Sequence, residues 1–392
     1  LEKGYAVEII DRDRPAEGAS HGNAGVISPW SCVPQSTPGL WKDIPKWTLD
    51  PEGPIALRWG YLFKFMPWAI KFLRAGNIEK LPMIGDAMSA LNRPNVDLYR
   101  RHLDGTGHED LLSDSFYVHV YKSPTGVNLN QLGWRMRTER DVPLQVVNEG
   151  ELHEIEPALS PDYKSAVLIK GQARALDPGA IGKALFEKAL SVGATYKQSA
   201  VKKISPTENG SWILHTENGE VSTDKLVIAA GAWSARLLAP LGINLPLEAE
   251  RGYHVVFKDP NITVNNSIMD TEGKFVASSM QAGVRCAGTA EFAGLDAPPD
   301  YRRAKVFKRL ATNLFPNINV DNGIEWMGTR PSFPDSLPCL GEVVGRPNLF
   351  SAFGHSHYGF GMAPNTGRIV AELVSGQTPN IDLQPYRTER FQ

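Results

Sequence analysis

The chain has 392 residues, longer than one hydrophobic core usually supports, so two domains are expected. Hydrophobic residues make up 42% and charged residues 21%, an ordinary globular mix that excludes a disordered or fibrous protein. A formal net charge of −2 gives no field to hold nucleic acid, and no such partner is expected.

Taken in order, Leu1 to Asp11 reads as a helix end, a glycine C-cap at Gly4 and a strand that finishes on an acid. In a dinucleotide-binding βαβ unit this is the second strand, whose acid accepts from the adenosine ribose hydroxyls. No GxGxxG precedes Asp11, so the first strand and the pyrophosphate turn are expected to lie outside this sequence. Ser20-His21-Gly22-Asn23-Ala24-Gly25-Val26-Ile27 follows, its glycines permitting close backbone approach and its Ser and Asn offering donors. A surface loop and a ligand site weigh equally for that stretch taken alone.

From Trp30 to Gly76 the chain is rich in proline and aromatics, with basic residues spaced through Leu57 to Arg74. Gly60 and Pro67 interrupt it too often for one bilayer-spanning helix. Helices packed on a substrate domain are favoured, with an interfacial segment as the alternative. Residues 80–104 read as a helix with Leu91 and Leu98 on one side, and residues 149–171 as a charged, proline-punctuated link. Asp177-Pro178 opens a helix, Ile181, Ala184, Leu185 and Ala189 form its buried stripe, and Gly193 closes it. Two Asn-Gly turns then join short strands into a meander, and Lys225 to Ala230 is an apolar strand stopping at Gly231.

Residues 241–314 alternate as strands and end in a helix carrying Val306, Leu310 and Leu314. Glu291 reads more readily as half of a structural salt bridge than as a catalytic acid. The three cysteines, Cys32, Cys286 and Cys339, are an odd number without metal-ligand spacing; buried thiols in a reducing, cytoplasmic compartment and no metal site are expected. Residues 324–374 hold the densest signal. Arg330 sits in Gly-Thr-Arg-Pro, where a planar fork is held still for a carboxylate, and the strand Leu349 to Phe353 runs through a glycine-rich turn into a helix over Arg368 to Val374. Such a turn aims unpaired N–H groups at an electron-rich ligand.

The order Asp11, Ser20 to Gly25, Asp177-Pro178, Leu226 to Ser234, Arg251-Gly-Tyr253, Gly288 to Glu291, Gly328 to Gly341 and Gly354 to Gly367 resembles the flavin-dependent D-amino-acid oxidase family. Within it the chain is most similar to bacterial D-amino-acid dehydrogenases, including those acting on D-proline or D-hydroxyproline, and the likeness runs over nearly the whole length.

The resemblance implies a mixed α/β fold: a discontinuous Rossmann-like FAD-binding domain from residues 1–45, 145–240 and 325–392, and a substrate domain of antiparallel sheet plus helix from 46–144 and 241–324. It implies non-covalent FAD held by Asp11, Arg12, Ser20, His21, Asn23, Ala24, Gly25, Val26, Ile27, Val201, Ala230, Gly231, Trp233, Gly354, Gly359, Gly361 and Met362. Arg330 would pair the substrate carboxylate, Tyr253 would add a hydroxyl, and His355 or His357 would touch substrate. The implied reaction is hydride transfer from a D-amino acid, with a quinone or dioxygen as electron acceptor. Contact with the inner face of the cytoplasmic membrane accompanies the interfacial alternative. A sarcosine- or glycine-type amine oxidase, and a chain without stable FAD binding because the pyrophosphate turn is missing, are the competing expectations.

Overall fold

The structure is a computed structural model describing residues 1–50 and 53–391. Among these residues the largest element is a curled sheet of eleven strands. Its long axis is the antiparallel pairing of Glu248–Phe257 with Gly323–Ser332, ten residues in register from Glu248↔Ser332 to Phe257↔Gly323. One face of that pair packs under the helix Arg302–Leu314, where Val255, Phe257, Phe275 and Phe307 share a buried core. The other face looks into the cavity described below.

Two smaller sheets bring the ends and middle of the chain together. Glu8–Asp11 pairs in parallel with Thr195–Gln198. Leu226–Ile228 pairs in parallel with Leu349–Phe353, which also pairs antiparallel with Cys339–Glu342. The meander of Val201–Pro206, Trp212–Thr216 and Gly219–Thr223 has the antiparallel order expected from its Asn-Gly turns. Parallel pairing of strands from distant parts of the chain is the hallmark of a doubly wound α/β unit. Glu8–Asp11 and Leu226–Ile228 each end a sheet, and both line the same cavity.

Several elements differ from expectation. The helix over 80–104 is two helices, Leu81–Asn92 and Asn95–Leu103, because Pro94 has no N–H to continue the first. Residues 149–171 are no mere link. Asn148 and Glu151 form a capping box that starts the helix Glu149–Ile155, and Ser165–Ala175 is an eleven-residue strand. That strand pairs with Leu144–Asn148 and Leu112–Tyr121 within the large sheet. The last long helix spans Gly359–Val374, starting nine residues ahead of the expected Arg368. Burial of Phe360, Met362 and Ile369 outweighs the poor propensity of its glycines and Pro364.

Candidate active site

The cavity enclosed by these parts measures about 2350 Å³. Its floor is built from the strand ends. Asp11 closes Glu8–Asp11, Val201 opens its strand, and Ala230 and Gly231 follow Leu226–Ile228. Arg12 lies over the Trp233 ring at 3.5 Å, so two residues expected at the cofactor brace one another. At the far end, Gly354, Gly359 and Gly361 line the cavity where the helix Gly359–Val374 begins. Its first-turn N–H groups and the positive end of its dipole favour an electron-rich ring or an anion there.

Ser20, Asn23, Ala24 and Val26 line the same space. Four expected cofactor residues do not. Ile27 is fully buried in the core beside Ala173 and Ala175, since strand alternation turns it away from Val26. Met362 has no exposed surface and packs with Leu91 and Leu340. Gly25 lies against the next strand, where an added Cβ would meet the Ala175 carbonyl at 2.7 Å. His21 is turned toward Trp326, with ring centroids 6.0 Å apart.

Over this floor the pair of long strands presents alternate residues. Glu250, Gly252 and His254 share a face with Trp326, Gly328 and Arg330, their partners in register. Arg330 Nη1 donates to Glu250 Oε1 at 3.0 Å and to the Thr289 carbonyl at 3.1 Å. Its Nε and Nη2 have no protein acceptor among the described residues, and its side chain is 23% exposed. One edge of the guanidinium is therefore anchored and the other is free. Gly252 makes room: an added Cβ would sit 2.3 Å from the guanidinium carbon. Gly22 makes room in the same way for the Trp326 ring, at 2.0 Å.

Glu250 is buried and collects Arg330, His357 Nε2 and the Ser332 hydroxyl. Burial raises its carboxyl, but the charges of His357 and Arg330 and the hydrogen bonds from His357 and Ser332 outweigh this and bring it to about 2. The sequence offered little sign of it, because a charged residue in an alternating strand reads as solvent-facing. Trp326 escaped attention for a similar reason, as a lone aromatic in a strand usually packs.

Tyr253 is a correction. It lies on the opposite face of its strand from Glu250 and Gly252, in the core under the helix Arg302–Leu314. Its hydroxyl donates to Glu291 at 2.6 Å and accepts from the Asp300 N–H, so it has no free hydroxyl for a substrate. Glu291 in turn accepts from Arg58 and pairs with Arg251 at 3.2 Å; it is a buried structural anion, as its sequence context favoured. His355 lines the cavity, with Nε2 3.0 Å from the Thr366 hydroxyl. Burial lowers it to about 4, so its imidazole is neutral near pH 7.

The cavity tests well for a flavin dinucleotide. Ser199 and Ser356 both line it with buried hydroxyls that lack a protein partner, as a polar ligand requires. An acid at a strand end, a helix N-terminus and an anchored cation around one cavity suit a nucleotide cofactor beside an anionic ligand. The sequence matches the family described as FAD dependent oxidoreductase (DAO) over residues 1–373, and the chain belongs to that family.

It is 37% identical to the D-amino-acid oxidase of Bradyrhizobium diazoefficiens, covering 100% of this chain and 94% of the relative. Identity to the D-amino acid dehydrogenase of Allorhizobium ampelinum is 26%, covering 99% and 93%. The structure of glycine oxidase from Geobacillus kaustophilus superposes with a TM-score of 0.72 at 22% identity, covering 99% of this chain and 92% of that one. FAD-bound L-alpha-glycerophosphate oxidase from Mycoplasma pneumoniae superposes at 0.68 with 17% identity, covering 97% and 92%. These two likenesses show the fold. The protein is an FAD-dependent oxidoreductase; among its described residues no cluster of three or more His, Cys, Asp or Glu suits a metal.

Proposed function

We propose that this oxidoreductase breaks the Cα–H and oxidises the Cα–N bond of a D-amino acid, giving an imino acid that water hydrolyses to the 2-oxo acid. The observation that carries the reading is the half-anchored guanidinium of Arg330, facing the cavity shared with the N-terminus of the helix Gly359–Val374. Its free edge matches a carboxylate, and its anchored edge fixes the direction from which that carboxylate arrives. The names of the relatives, D-amino-acid oxidase and D-amino acid dehydrogenase, support an amino-acid substrate. FAD, when bound, supplies the two-electron acceptor.

The chain's own residues bind and orient. Asp11, Val201, Gly231 and Trp233 are the residues to hold the dinucleotide, and Gly359 and Gly361 the ones to meet the ring end. Trp326, stacked on His254 with centroids 5.0 Å apart, walls the space beside Arg330. No proton need be taken by His355, since the substrate amine acts as the neutral electron donor.

Arg330→Ala should lower kcat/KM for D-amino acids by about two to three orders of magnitude, as expected when a substrate charge is buried without its partner. Arg330→Lys should recover only part, because an ammonium cannot form the fork. Steady-state kinetics on FAD-replete protein decides it, with the flavin absorbance unchanged in both variants; unaltered efficiency in Arg330→Ala removes this residue from the site. Oxygen uptake with peroxide release during turnover separates dioxygen from a quinone as the final acceptor.

A further inference from the structure

The helix Leu62–Ala75 is apolar on two sides. Phe65, Trp68, Phe72 and Ala75 face inward: Phe65 and Trp68 meet Phe292 with ring centroids 4.5 and 5.5 Å away, and the Trp68 indole donates to the Ser332 carbonyl. Ser332 also bonds Glu250, so this helix is bolted to the wall of the active site. Phe63, Met66, Ile70 and Leu73 recur at helical spacing on the opposite side, extended backward by Trp59. Phe63 is 89% exposed and Trp59 80%, and the other three are also solvent-facing. Phe63, Met66, Ile70 and Leu73 lie within about a quarter of the helix circumference. A continuous bare stripe of this size is unusual on a soluble protein and marks a docking face.

Charge tells what covers it. Residues 53–78 carry four cations, Arg58, Lys64, Lys71 and Arg74, and no carboxylate, although the whole chain is net −2. Arg58 is occupied by Glu291. Lys64, Lys71 and Arg74 are exposed along one shoulder of the stripe. A second copy of the chain laid on this face would bring two such cation rows together, which opposes self-association. An anionic lipid surface satisfies both features at once: the apolar stripe enters the acyl boundary while the lysines and arginine remain among the headgroups. With 14 residues the helix is too short to cross a bilayer, and among the described residues no helix is long and apolar enough to do so.

We propose that Trp59, Phe63, Met66, Ile70 and Leu73, flanked by Lys64, Lys71 and Arg74, form a surface that seats this protein in the interface of an anionic phospholipid bilayer. The helix lies flat and its inner face stays on the active-site wall. This surface is independent of the substrate, since none of its residues lines the cavity.

Vesicle flotation of the full chain tests it. Vesicles of phosphatidylcholine containing about a third phosphatidylglycerol should carry the protein up at least about tenfold more strongly than phosphatidylcholine alone. Phe63→Ser with Ile70→Ser should abolish that binding without moving the thermal midpoint, because both side chains are solvent-facing. Lys64→Glu with Lys71→Glu should erase the preference for anionic lipid. Equal binding to both vesicles, or unchanged binding by the serine variant, overturns the proposal. So does a dimer in sedimentation velocity that the serine variant dissolves, which assigns the stripe to a second copy.

Discussion

Glu250 is a buried carboxylate with three partners, one of which, Arg330, has a free edge in the cavity. Its role follows from geometry: a guanidinium on a long flexible stem points in one direction only while something holds its other edge. Glu250→Gln keeps the shape but removes the charge facing Arg330 and His357. The expected outcome is a KM for amino acid raised about tenfold to hundredfold with a smaller fall in kcat, since the arginine is still present but no longer aimed. The same substitution has a signature in acid. The carboxyl is held at about 2, below its ordinary 4.5, so its stabilisation is complete above about pH 4.5 and is lost as pH falls toward 2. Glu250→Gln should flatten the thermal midpoint across that window, and an unchanged profile would show that the carboxylate is not paired as described.

Elements explain what could be read early and what could not. The strand into a glycine turn and helix at 349–374, the Asp177-Pro178 helix start and the Asn-Gly meander were legible because each depends on local chemistry: a turn, a cap, a missing N–H. Tyr253 was misplaced because alternation gives the period of a strand but not which face meets the cavity. The register Gly252↔Gly328 and Glu250↔Arg330 settles that only in three dimensions. The strand Ser165–Ala175 was hidden by Lys170 and Gly171, which break the apolar run. The same register yields a test. Gly252→Ala places a methyl where the Arg330 guanidinium now lies, and the far end of a long side chain can swing aside. The fold should therefore survive with little change in thermal midpoint, while KM rises severalfold or more and kcat for bound substrate falls less. A large loss of stability with unaltered KM would mean that Arg330 does not occupy that space in solution.

Across the whole molecule, buried titratable groups set opposing demands on pH. His119, His254 and His355 are all lowered, each chiefly by burial, His254 to about 3 and His355 to about 4. The unfolded chain takes up their protons below about pH 6.5 and the folded chain does not, so their contribution is complete above 6.5 and falls as the solution is acidified. Glu156 runs the other way. Burial raises it to about 7, against hydrogen bonds from Asn265 and Asn266 and the charge of Arg174. The folded chain keeps that proton where the unfolded chain has released it near 4.5, so stability declines as pH rises from 4.5 to 7 and is level beyond. From pH 4.5 to 7 these three histidines, which gain stability with rising pH, outweigh Glu156, which loses it, and both contributions level off above about 7. Glu156→Gln cannot ionise. Its thermal midpoint should climb more steeply from pH 4.5 to 7 than that of the parent. Thermal melts at half-unit intervals across that range check it, and equal slopes in the parent and Glu156→Gln would show that this carboxyl is not raised in the folded chain.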